Sequence, residues 1–168
     1  MLALDSHTIA VKSHSPERTR QLGKHLGNAL QTGDVICLQG DLGAGKTTFV
    51  QGIAQGWGSL DSVSSPTFIL VNVYRRVDGG RGGVTQPLLF HMDAYRLDST
   101  PEAEELDLDS MLAEGALIIE WPERMRGLVP AERLWIEFTH AGEEERELKF
   151  TARGKRYEDL LELIRGGQ

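Results

Sequence analysis

Short continuous apolar runs alternate along this chain with stretches of helical spacing, the pattern of a sheet covered by helices. Ser15 and Pro16 mark an N-cap and first helical position. Leu22, Leu26, Ala29 and Leu30 then recur on one face, which predicts a helix over about 16–31. Gly33 and Asp34 turn the chain into the run Val35 to Leu38, suited to a parallel strand buried on both faces. Phe49, Val50, Ile53, Ala54 and Trp57 return to helical spacing, and Gly56 and Gly58 are expected to end that helix. Phe68 to Val77 is rich in β-branched and aromatic residues and reads as a strand. A glycine-rich hairpin tip, residues 78–83, separates it from a strand beginning at Leu88-Leu89-Phe90. Thr100-Pro101-Glu102 opens an acidic helical region through Met111 and Leu112, and Ala116 to Ile119 is another covered strand. Leu134 to Phe138 and Leu148 to Phe150 predict a hairpin around the charged turn 142–146. Tyr157, Leu160, Leu161 and Ile164 give the stripe of a last helix.

One turn in this pattern carries chemistry. Gly40-Asp41-Leu42-Gly43-Ala44-Gly45-Lys46-Thr47 is a complete G-x-x-x-x-G-K-S/T segment, entered from a strand and left by a helix. Its glycines let successive N–H groups converge on a phosphate, Lys46 reaches the β and γ oxygens, and the Thr47 hydroxyl is placed for Mg²⁺. The predicted fold is therefore α/β: one domain over 1–168, a three-layer, phosphate-loop NTPase-like fold with a mixed, mainly parallel sheet and a C-terminal β-hairpin plus helix.

Composition narrows the setting. A chain of 168 residues buries a sizeable core without staples, and its one cysteine, Cys37, lies inside the strand feeding the loop, where a small buried hydrophobe is expected. The net charge of −7 disfavours unaided binding to a nucleic-acid backbone, so any RNA substrate is expected to be held by another protein. No apolar run spans a bilayer and no secretory signal opens the chain, which makes a cytoplasmic location the expectation.

Thr47 alone cannot orient the ion; a phosphate loop needs an acidic group at the end of a neighbouring strand. Asp93, after Leu88 to Met92, and Glu120, after Leu117-Ile118-Ile119, are the two candidates; a helix cap or a surface carboxylate is the plainer reading of each. His91 shares a strand face with Asp93 and reads as a satisfied structural histidine rather than a base.

Taken in order, the phosphate loop with Thr48-Phe49, then Ser65-Pro66-Thr67-Phe68, His91-Met92-Asp93-Ala94-Tyr95-Arg96-Leu97 and Ile119-Glu120-Trp121-Pro122 resemble the bacterial TsaE family, formerly called YjeE. The resemblance covers about residues 8–150 and is weakest in the last hairpin and helix. It implies an ATPase needed for N6-threonylcarbamoyladenosine at position 37 of certain tRNAs, an accessory to TsaB and TsaD, with TsaD carrying the transfer. It also implies Asp41 to Thr48 and Trp121 around ATP, Thr47 and Glu120 on Mg²⁺, and Asp93 as the catalytic or water-orienting carboxylate. Thr67 resembles a switch threonine that senses the γ-phosphate; a turn residue is its plainer reading.

Arg96, Arg124 and Arg146 are candidate arginine fingers, and without an assured one slow hydrolysis, gated by a partner, is expected. The acidic segment from Asp98 to Asp109 reads as a solvated face or as a docking surface for a basic patch on TsaB or TsaD. A phosphate-loop small-molecule kinase, with Arg75, Arg76 or Arg81 in a lid, is the alternative. A nucleotide-bound scaffold also stays open, whereas a guanine switch is disfavoured because no N-K-x-D segment is present.

Overall fold

In a computed structural model that describes residues 1–3, 5–64, 71–76, 87–97, 100–125 and 127–167, the apolar runs assemble into one mixed sheet. Its strands are, from one edge to the other, β1 (Leu2–Ala3), β2 (Thr8–Ser13), β8 (Arg146–Arg153), β7 (Arg133–His140), β3 (Val35–Gln39), β6 (Gly115–Glu120), β5 (Leu88–Asp93) and β4 (Val71–Tyr74). β7, β3, β6 and β5 run parallel at the centre, with antiparallel strands outside them. The phosphate-loop strand β3 is central because every residue from Val35 to Leu38 is buried.

Helices lie on both faces, giving three layers. Ile36, Leu38, Leu89 and Ile118 face α1 (Pro16–Ala29), α2 (Lys46–Trp57) and α5 (Lys155–Gly166). Val35, Cys37, Phe90, Leu117 and Ile119 face α3 (Thr100–Glu104), α4 (Leu108–Glu114) and a 3₁₀ turn, Pro122–Met125. The Ser15 hydroxyl caps α1 by accepting from Arg18 N–H at 3.2 Å. At the start of β3 the Tyr157 hydroxyl accepts from Val35 N–H at 2.8 Å, and Arg156 grips the buried Asp34 carboxylate at 3.0 and 2.7 Å. These bonds fasten α5 beneath the central strand.

α1 and α2 meet through glycines. A Cβ at Gly23 would lie 2.2 Å from Phe49 O, one at Gly27 2.1 Å from Ile53 O, and ones at Gly52 and Gly56 2.1 Å from Arg20 O and Lys24 O. Gly56 thus sits inside α2 as a packing residue, and the helix ends only at Gly58, whose φ of 85° supplies the left-handed stop. The acidic helical region is two helices rather than one, because the Asp107 side chain accepts from Ser110 N–H at 3.0 Å and starts α4 afresh. β2 was not expected from the sequence. Of the strand expected over 68–77, Val71–Tyr74 pairs antiparallel with β5; residues 65–70 and the glycine-rich tip lie outside the described residues. Among the described residues no helix is long and apolar enough to cross a membrane.

Candidate functional site

The site forms where the parallel strands end. β3 delivers the chain to Gly40, where a Cβ would meet Phe138 at 2.9 Å, and the loop turns into α2 through Gly45 at φ 101°. Asp41, Leu42 and Gly43 are exposed at the tip, Ala44 is buried beneath it, and Thr47 and Thr48 are half-buried in the first turn of α2. Lys46 is buried, 7% exposed; its ammonium faces the loop. It donates to the Gly40 carbonyl and, at 3.4 Å, to that of Asp41, and it stands 4.1 Å from the Trp121 ring centroid. Burial lowers the Lys46 pKa; Glu120, Glu123, Asp93 and Asp41 pull it back up. A desolvated cation beside loop amides is a site that attracts a polyanion.

Asp93 and Glu120 are the last residues of β5 and β6 and stand opposite each other in register. The alternation of a strand puts both on the face that carries α2. Burial, reinforced by Glu120, raises the Asp93 carboxyl, against the Tyr95 N–H it accepts at 2.8 Å and the charge of Lys46. Glu120 is buried at 4% exposure, and its Oε1 has no hydrogen-bond partner. Its Oε2 is 3.5 Å from Nε2 of the fully buried His91, whose Nδ1 is hydrogen-bonded to the Tyr74 hydroxyl at 2.9 Å.

Trp121 follows Glu120 in a left-handed turn, φ 55°, with its N–H donating to Leu38 O at 3.2 Å. That turn lays the indole under Lys46 and against Tyr95, 4.8 Å between ring centroids. On the other side of the loop an open groove of about 330 Å³ is lined by Gln39, Asp41, Glu137, Phe138 and His140 among others.

The structure thus brings together Lys46, Asp93, Glu120 and Trp121, with Thr47 beside Lys46 in sequence; Thr67 lies outside the described residues. Of the arginines, Arg146 donates to Gly43 O at 3.2 Å and to Glu145 O at 2.9 Å, tying the charged turn to the phosphate loop. Arg124 lies over the Tyr95 ring. Sequence reasoning missed the Tyr74 to Glu120 contacts through His91; the only signal was a polar histidine inside an apolar strand. Among the described residues no three His, Cys, Asp or Glu side chains form a ready metal cage. Magnesium needs none, since it is held by one or two protein oxygens, phosphates and water. A hydroxyl at Thr47 and an unpartnered buried oxygen on Glu120 fit that demand.

By fold and loop sequence this is an α/β protein of the phosphate-loop class. The model of the family "Threonylcarbamoyl adenosine biosynthesis protein TsaE" matches residues 13–148. The chain belongs to the TsaE family. It is similar to the tRNA threonylcarbamoyladenosine biosynthesis protein TsaE of Bacillus subtilis, 42% identical over 151 residues and 89% of both chains. The protein of that name from Streptomyces coelicolor is 36% identical over 143 residues, 82% of this chain and 93% of that one. A crystal structure of Bacillus subtilis YdiB superposes with a TM-score of 0.74 at 36% identity, covering 96% of this chain and 97% of the other.

Proposed function

We propose that this chain is a magnesium-dependent ATPase of the cytoplasm that serves tRNA N6-threonylcarbamoyladenosine formation as an accessory coupled to TsaB and TsaD. The observation that carries the reading is the in-register pair Asp93 and Glu120 at the strand ends, on the face that carries Lys46. The names of the relatives in this family supply the pathway.

Loop amides and Lys46 bind the β and γ phosphates, Lys46 exchanging loop carbonyls for phosphate oxygens. Thr47 and Glu120 would hold magnesium, which when bound would supply positive charge beside the phosphates. Asp93, made more basic by burial, accepts a hydrogen bond from the attacking water and orients it. Trp121 keeps Lys46 in place through its ring face. With Arg146 bound to the loop carbonyl and Arg124 over Tyr95, hydrolysis is slow until a partner orders the site. The acidic chain leaves tRNA contact to those partners.

The kinase alternative gains nothing: Arg75 is paired with Asp61 at 3.2 Å and Arg76 stacks on Trp57, while Arg81 is outside the described residues. The test is phosphate release from ATP with and without magnesium, TsaB and TsaD. Stimulation by the proteins is expected. Lys46→Ala should weaken ATP binding about 10–100-fold, the worth of a charged hydrogen bond. Glu120→Ala should chiefly abolish magnesium-dependent turnover. A phosphorylated small molecule in the products, or turnover in Glu120→Ala with unchanged magnesium dependence, would defeat the proposal.

A further inference from the structure

Three side chains on neighbouring strands form a row beneath the site: Tyr74 on β4, His91 on β5 and Glu120 on β6. All three are buried, His91 completely, so each polar atom needs a partner. A neutral imidazole carries one N–H. With that proton on Nδ1, the bare Nε2 lone pair would face Glu120 Oε2 at 3.5 Å, two acceptors confronting each other out of water. With it on Nε2, a donor faces the carboxylate across 3.5 Å, an electrostatic approach longer than a hydrogen bond, and the Tyr74 hydroxyl donates to Nδ1 at 2.9 Å. Of the two neutral forms, the second sets a donor rather than a lone pair against Glu120, at the expense of the 3.4 Å bond from the Tyr74 hydroxyl to Ser64 O.

We propose that His91 is a positioning residue: held in its Nε2–H tautomer by the Tyr74 hydroxyl, it fixes Glu120 through Oε2 and leaves Oε1 to ligate the divalent cation that accompanies a nucleoside triphosphate. The inference rests on Glu120 being the metal carboxylate. Partners that orient a ligating group set metal affinity, and their removal typically costs about 10–100-fold.

The probe is Mn²⁺, whose paramagnetic resonance reports binding to the full chain with a non-hydrolysable ATP analogue. His91→Phe should weaken Mn²⁺ binding about 10–100-fold and leave metal-free nucleotide affinity at the parent value. His91→Gln, whose amide N–H stands in for Nε2–H, should recover most of the loss, and Tyr74→Phe should fall between parent and His91→Phe. In the metal-free parent, NMR of the ring nitrogens should show the Nε2–H tautomer. An Nδ1–H ring or an imidazolium overturns the inference, as does parent-like Mn²⁺ affinity in His91→Phe. A His91→Gln variant no better than His91→Phe also overturns it. If His91→Phe does not fold, Tyr74→Phe decides: parent-like Mn²⁺ affinity there refutes the positioning role. Glu120→Gln separates the two claims, because Mn²⁺ binding that survives it removes the metal assignment itself, whereas loss in Glu120→Gln alone removes only the role of His91.

Discussion

Gly27→Ala is the most demanding test of how α2 is held. The added Cβ would lie 2.1 Å from Ile53 O and 2.9 Å from Ile53 C, both backbone atoms that no rotamer change can move aside. Restoring ordinary contact distances requires the helices to part by about 1 Å. Overpacking of this kind costs about 1–3 kcal/mol, and a backbone obstruction belongs at the upper end. Alanine returns about 1 kcal/mol through its better helix propensity, which leaves a net loss of about 2 kcal/mol. In a chain of this length that lowers Tm by about 4–8 °C. Urea titration gives the free energy directly, and Gly166→Ala, with nothing within 4 Å of the new Cβ, is the matched control. The control should be neutral or stabilising by up to about 1 kcal/mol. A Gly27→Ala protein as stable as its parent, at unchanged m-value, would show that the glycine seam is not a tight contact.

Other expectations follow from buried and charged groups. Burial pushes the Cys37 thiol from its ordinary 9.0 to about 12, so the folded chain keeps the proton that the unfolded chain loses. Stability should therefore fall as pH rises from 9 towards 12, by about 1.4 kcal/mol at pH 10, and Cys37→Val should remove that slope in alkaline urea titrations. Arg156→Met leaves the Asp34 carboxylate, 3% exposed, without its cation; discounted for the partly exposed guanidinium, the cost should be about 2 kcal/mol by urea titration. Charge reversal at the exposed Glu104 and Glu105 should weaken assembly with TsaB and TsaD most at low salt. Indifference across a salt series in a pull-down would take the acidic segment out of the interface.

The parts of this fold that were legible in the sequence are those whose cause is local. Ser15-Pro16 announced α1, and the run from Val35 announced the central strand. Asp93 and Glu120 stand out in the sequence because a polar residue ending an apolar strand is conspicuous, although only the register shows them side by side. What stayed hidden depends on distant partners. Thr8–Ser13 looks unremarkable until Ile9 is set against Phe150, and its signal, Ile9 and Val11 around a small residue, is short. Gly56 read as a helix stop because nothing local reveals that Lys24 O occupies the space its side chain would need. His91 read as structural, and its burial and bond to Tyr74 agree, but its proximity to Glu120 comes from pairing between strands.

The central strand also sets a timetable. Val35 pairs with Leu117 and Ile36 with Leu134, so the strand that presents the glycine loop has neither neighbour until most of the chain has been synthesised. Closing such distant pairings is the slow, entropically costly part of assembly. On the ribosome the nascent loop therefore emerges long before it can grip anything, and competence arrives only when the sheet closes on both sides.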